Sequence, residues 1–137
     1  MSTKIESNKV TINADQSTVF TFLTDFNNIK LLLPQEKISD WSATTDQCSF
    51  KIQNAAIIPL VKESVHPSTK INITSGEKAP FPFKLEVFIE AIEGSDTCLA
   101  YFNFEGEINA FLKMMVVKPL TNLFNYMADR LQSVHAD

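Results

Sequence analysis

Proton transfer, nucleophilic attack and metal binding each need particular side chains within reach of one another, and this chain offers few. Besides its ordinary surface Asp, Glu and Lys residues, it carries His66, His135, Tyr101, Tyr126, Cys48 and Cys98. A general acid or base would have to be one of these, or a carboxylate turned inward, held in a cleft beside a partner. His66 precedes Pro67 in an expected turn and His135 stands two residues before the last residue, so both read as surface side chains. Tyr101 shares the strand parity of Asn103 and Glu105 and is expected to face away from the core. Glu105 and Glu107, two apart on a strand, are same-face neighbours, and an exposed strand face explains them without any acid–base role. There is no HExxH, no serine elbow and no Cys–His signature, and two histidines with two scattered cysteines do not compose a zinc site. Gly76, Gly94 and Gly106 form neither GxGxxG nor a phosphate loop. No catalytic residue, metal or cofactor is therefore assigned.

The bulk properties point the same way. At 137 residues, with 45% hydrophobic and 20% charged side chains, the chain reads as one globular domain spanning 1–137, large enough to bury a core without disulfide support. Twelve Lys plus Arg stand against 16 Asp plus Glu, for a net charge of -4. Nucleic acid is excluded as a partner because no segment clusters the cations that phosphates require. Anionic membrane surfaces are disfavoured on the same ground. The opening MSTKIESNKV has no apolar stretch of the signal-peptide kind, and the runs Ala55 to Val61 and Met114 to Val117 are far shorter than the ~18 residues of a spanning helix. No transmembrane segment is expected, although transient membrane contact stays open. A cytoplasmic location is expected, with Cys48 and Cys98 as small buried hydrophobes. The oligomeric state is not legible.

The elements that must position any site follow from periodicity. Ile5, Val10 and Ile12 mark a first strand. Asp15 can cap a helix holding Val19, Phe20, Leu23 and Phe26, interrupted at Asn27-Asn28, and a second short helix around Ile29 to Leu33 must end before Pro34. From Lys37 to Ile108 the period becomes two, predicting six antiparallel strands. Trp41 and Ala43 belong to the first of these. In the next, Cys48, Phe50 and Ile52 alternate with Ser49, Lys51 and Gln53. A less regular strand runs from Leu60 to Val65, then His66-Pro67-Ser68 turns the chain into Ile71 and Ile73. Phe83, Leu85, Val87, Ile89 and Ala91 share one parity, and Cys98, Ala100, Phe102, Phe104 and Ile108 share one on the last strand. Asn109 should cap a helix from Ala110 to about Val134, with Leu112, Met115, Val116, Leu120, Leu123, Met127, Leu131 and Val134 on its buried side. Pro119 within that helix predicts a kink.

A sheet of this size can bury its inner face against one long helix only by curving around it, with the short helices plugging an open end. Helix and curved sheet then touch along a line, and the space beside the line is filled by large side chains, water or a ligand. The element order, the segment Val19-Phe20-Thr21-Phe22-Leu23-Thr24-Asp25-Phe26-Asn27-Asn28, and the run Phe111-Leu112-Lys113-Met114-Met115-Val116-Val117-Lys118-Pro119-Leu120 together resemble the START-like, or SRPBCC, superfamily. This superfamily includes birch-pollen-allergen relatives, polyketide cyclase/dehydrase proteins and lipid-transport proteins. The resemblance implies an α+β helix-grip fold, β-α-α-β6-α, in which a seven-stranded curved antiparallel sheet wraps the C-terminal helix around an apolar cavity.

Residues whose parity or helical phase turns them toward such a cavity are Phe50, Ile73, Phe83, Leu85, Val87, Phe102, Phe104, Leu112, Met115, Val116, Leu123 and Met127, and these are the expected ligand-binding set. The expected function is binding or transport of a small hydrophobic molecule: a lipid, quinone, sterol or polyketide-like compound. Two alternatives stand beside it. One is a cyclase- or dehydratase-like enzyme, which needs a buried ionisable group. The other is a protein-interaction module using the outer sheet face or Phe111 and Met114. Ala79-Pro80-Phe81-Pro82-Phe83 reads either as the start of a strand or as a lip at the cavity mouth.

Overall fold

A computed structural model describes residues 2–52 and 56–136; Gln53 and Ala55 lie outside the described residues. In chain order the elements are β1 (Thr3–Glu6), β2 (Val10–Ile12), helix α1 (Gln16–Thr24), the 3-10 helices η1 (Phe26–Leu32) and η2 (Gln35–Lys37), β3 (Ile38–Ala43), β4 (Gln47–Ile52), β5 (Ile57–His66), β6 (Lys70–Ser75), β7 (Phe83–Ala91), β8 (Cys98–Gly106) and helix α2 (Ala110–Val134). The strands form one antiparallel sheet ordered β1-β8-β7-β6-β5-β4-β3, with β2 also paired to β8.

The first expected strand is thus split in two, which raises the strand count to eight. From Glu6 to Val10 the chain advances four residues while its partners on β8, Asn103 to Ala100, advance three, so one residue bulges. Ser7 sits at the break. Its N–H donates to the Phe102 carbonyl at 2.9 Å and its Oγ accepts from the Phe102 N–H at 2.8 Å, so a side chain stands in for a missing ladder carbonyl.

Alternation on β7 and β8 gives the sheet its dry face: Phe83, Leu85, Val87 and Ile89 are buried, as are Cys98, Ala100, Phe102 and Phe104, while Lys84, Glu90 and Glu105 are exposed. Ile108, expected on the last strand, lies beyond its end but is buried.

Asp15 caps α1, accepting from the Thr18 N–H at 2.8 Å, and this hydrogen bond holds its carboxyl below the usual range. Helix α1 stops earlier than its apolar spacing implies. Phe26 belongs to η1, where Asp25 accepts from the Asn27 N–H at 3.0 Å. The buried residues of η1 are Phe26, Ile29 and Leu32, every third position, which places them on one side of a helix with three residues per turn. Leu33 is already extended before Pro34, as proline requires.

Helix α2 begins where Asn109 accepts from the Leu112 N–H at 2.9 Å and runs without interruption through Pro119. The proline deprives the Met115 carbonyl of its donor, at a residue that is 49% exposed. The buried stripe is Val116, Leu120, Leu123, Phe124, Met127, Ala128 and Leu131. At about 100° per residue its centre is rotated by roughly 50° from the expected one, toward Phe124 and Ala128. Met115 consequently falls outside it, and Val134, in phase with Val116 but the last residue of the helix, is 37% exposed; this corrects the assignment of both to the buried side, and Leu112 is only partly buried. Phe111 and Met114 are 71% and 88% exposed.

Candidate functional site

The inner face of the sheet is built in cross-strand rows. Ile71 pairs with Val87, which pairs with Phe102, and Ile73 pairs with Leu85, which pairs with Phe104. These residues make an apolar floor. The roof comes from three helical elements: Leu23 of α1, Ile29 and Leu32 of η1, and Met127 of α2. Floor and roof enclose one internal void, lined by Leu23, Ile29, Leu32, Leu60, Ile71, Ile73, Leu85, Val87, Phe102 and Met127, with a volume of about 10 Å³. That is at the threshold for a single water molecule, and the lining offers hydrocarbon and a thioether where a water would need polar partners. In this conformation the interior is packed shut.

Of the twelve residues expected to face a cavity, Ile73, Leu85, Val87, Phe102 and Met127 meet at this void. Phe50 is buried farther along the sheet, stacked on Trp41 with ring centroids 6.2 Å apart. Phe83 and Phe104, 5.3 Å apart, join Phe81 and Phe124 in an aromatic cluster that fills the other end of the core. Gly106 is required there: a Cβ on it would lie 2.9 Å from the Phe104 ring. Val116 and Leu123 are buried but do not reach the void, Leu112 lies at the margin, and Met115 faces outward.

Five lining residues escaped the sequence reading as site residues: Leu23, Ile29, Leu32, Leu60 and Ile71. Their burial was foreseeable from spacing. Their convergence on one point was not, because it depends on how η1 lies across the sheet.

The titratable groups sit elsewhere. His66 is exposed, and His135 packs edge-on against Phe22 at 5.1 Å while its Nδ1 lies 3.0 Å from the Leu131 carbonyl. Tyr101 faces outward, stacked on Phe88 at 5.0 Å, and donates to Glu90 at 2.6 Å; that hydrogen bond first, with desolvation and carboxylate charge, pushes its phenol up to about 12. Burial pushes the Cys48 thiol up to about 12, and burial with the charge of Asp15 raises Cys98. A thiolate is the reactive form, so both thiols are held in their inert state. Among the described residues no cluster of His, Cys, Asp and Glu could hold a metal ion.

Among the described strand residues, one charged side chain has inward parity. Lys62 of β5 pairs with the inward residue Ile73, and β5 shifts register between Lys62 and Ser64. Its ammonium donates to the Thr24 carbonyl at the end of α1 and to Asp46 at 3.0 Å, and it lies 5.2 Å from the centre of the buried Phe26 ring.

Roomier concavities lie on the outer sheet face and are open to solvent. One of about 740 Å³ is bordered by Ser42, Thr44, Ser49, Val61 and Thr74, and one of about 480 Å³ by Lys4, Glu6, Lys84, Glu86, Asn103 and Glu105. The second is a polar surface groove, whereas the first is also lined by Ala43, Pro59 and the aliphatic part of Val61 and presents more apolar than polar surface.

No family model and no curated protein matches the sequence. Solved structures do match over essentially the whole chain. Norcoclaurine synthase from Thalictrum flavum, in complex with dopamine and hydroxybenzaldehyde, superposes with a TM-score of 0.71 at 14% identity, covering 98% of this chain and 86% of that one. A START superfamily protein from Mycobacterium smegmatis gives 0.69 at 12% identity, with 97% of each chain covered. An uncharacterised protein from Bacillus thuringiensis gives 0.72 at 15% identity over 100% of both. The chain has the START-like helix-grip fold. In this helix-grip domain α2 is the gripped helix, and α1 and η1 form the plug over one end of the curved sheet. No helix among the described residues is long and apolar enough to cross a membrane.

Proposed function

We propose that this START-like chain binds a small, largely apolar molecule between the sheet and the α1–η1–α2 roof, as a carrier or receptor. The observation that carries the reading is the chemistry of the interior. Ten residues from seven strands and helices converge on one point without a titratable group among them. Such a surface can recognise shape and hydrocarbon and has nothing with which to move a proton. A cyclase- or dehydratase-like reaction would need an ionisable group in that lining, which is why binding is the preferred reading.

With only about 10 Å³ free, a ligand must displace side chains. The roof is suited to yielding. Met127 is unbranched and flexible, and η1 is a 3-10 element with weaker hydrogen-bond geometry than an α-helix. Binding therefore opens the interior. Lipids, quinones, sterols and polyketide-like compounds fit this description. Native mass spectrometry of protein purified from its own host tests it: a co-purified apolar small molecule is the expected result. Protein that carries none, and that shows no thermal shift with any of these classes, would overturn it.

A further inference from the structure

Lys62 stands out as a charged residue on a mainly apolar inner face. Its neighbours there are Leu60, two residues earlier, and Ile73, its partner on β6; both line the internal void, as does Leu23, next to the Thr24 that accepts from its ammonium. The Lys62 side chain is 18% exposed, so most of it is withdrawn from water, whereas Asp46 is 76% exposed.

The surrounding turn does not need this side chain. The Lys62 backbone N–H donates to the Asp46 carbonyl at 2.9 Å, the Phe26 N–H to the Thr45 carbonyl at 3.0 Å, and the Thr44 N–H to the Gln47 carbonyl at 2.8 Å, which joins β5, η1 and the β3–β4 turn through main chain alone. A methionine would fill the same space without desolvating a charge. An ammonium has three donors, and two are engaged, one with the Thr24 carbonyl and one with Asp46. The third has no partner among the described residues. The ion pair with Asp46 is also weak competition, because an exposed carboxylate is screened by water, whereas an anion arriving from the apolar side would meet the ammonium in a lower dielectric.

From this arrangement we infer that the ligand is an amphipathic carboxylic acid, with its apolar body in the interior and its carboxylate on Lys62 at the rim beside η1. The inference rests on the binding function proposed above and adds the charge of the ligand to it. Lys62 is a binding residue in this account, and Asp46 holds the ammonium in place until the carboxylate arrives.

Titration calorimetry with octanoate and with octanol, using the delipidated protein, separates the two levels of the claim. The wild type is expected to bind octanoate about tenfold or more tightly than octanol, the size of one charge-assisted hydrogen bond. Lys62→Met should erase that preference while leaving octanol affinity within about threefold, which also reports that the variant is folded. Lys62→Arg should retain the preference, and Asp46→Asn, which removes the competing carboxylate, should enlarge it. Equal binding of the two probes by the wild type, or an undiminished preference in Lys62→Met, would overturn this inference and leave the apolar site standing. No binding of either probe would overturn the apolar site itself, and this inference with it.

Discussion

Met127→Ala is the substitution that probes the interior most sharply. Met127 is 2% exposed and forms the α2 part of the roof over a void of only about 10 Å³. Truncation removes the buried thioether and leaves a cavity into which the lining relaxes only in part. Large-to-small changes of this kind cost 2–5 kcal/mol, and with a closely packed lining a loss of about 3 kcal/mol is expected. For a domain of this length that corresponds to a drop in Tm of about 10 °C. Urea unfolding can be followed through the fluorescence of Trp41, the single tryptophan, which stacks on Phe50. The new space is lined by hydrocarbon, so a benzene-sized apolar compound should restore stability in the variant more than in the wild type, by about 2.7 kcal/mol at a hundredfold excess over its Kd. A loss below about 1 kcal/mol, or no differential recovery, would mean that Met127 does not close the interior and would refute the packing argument.

Other expectations test the supporting parts. Asn109→Ala removes the side chain that caps α2 and should lower stability by about 1 kcal/mol in the same urea assay. Phe111→Ser combined with Met114→Ser, at positions 71% and 88% exposed, should change stability by no more than about 0.5 kcal/mol and leave octanoate binding intact, because neither residue reaches the void. Cys48, with its thiol raised from 9.0 to about 12 by burial, should resist iodoacetamide at pH 8 until the protein unfolds. Since the unfolded thiol loses its proton first, the contribution of Cys48 to stability is complete below pH 9 and declines as pH rises from 9 toward 12. Urea midpoints measured across that range in wild type and Cys48→Ala should converge as the pH rises.

Much of the architecture is legible in the sequence because it depends on local pattern. Strict alternation from Phe83 to Ala91 predicts β7 to the residue, and Asn109 followed by an apolar stripe predicts α2 from Ala110 to Val134. Legibility ends where tertiary contacts overrule the pattern. The apolar spacing of Val19, Phe20, Leu23 and Phe26 suits one α-helix, but the chain breaks at Asp25 and Phe26 is buried from a 3-10 helix. The phase of α2 is set by what the sheet offers Phe124 and Ala128, so Met115 turns outward although its type is apolar.

The candidate site is less legible than the fold. Parity reports which residues are buried, but not which buried residues meet, and four of the ten lining residues come from the placement of α1 and η1 and from the irregular strand β5. Lys62 was hidden for the same reason. The shift in β5 between Lys62 and Ser64 breaks the alternation that would have marked Lys62 as inward, and its neighbours Val61 and Glu63 give no sign of the change.

The central claim is that the closed interior opens to admit an apolar molecule beneath the α1–η1–α2 roof. Methyl-labelled NMR during titration with octanoate tests it most directly. The account predicts that the Met127, Leu85 and Ile71 methyls shift together and saturate at one equivalent, while that of the exposed Met114 stays in place. Shifts confined to Met114 and other surface methyls, with Met127 and Leu85 unmoved at saturation, would contradict it.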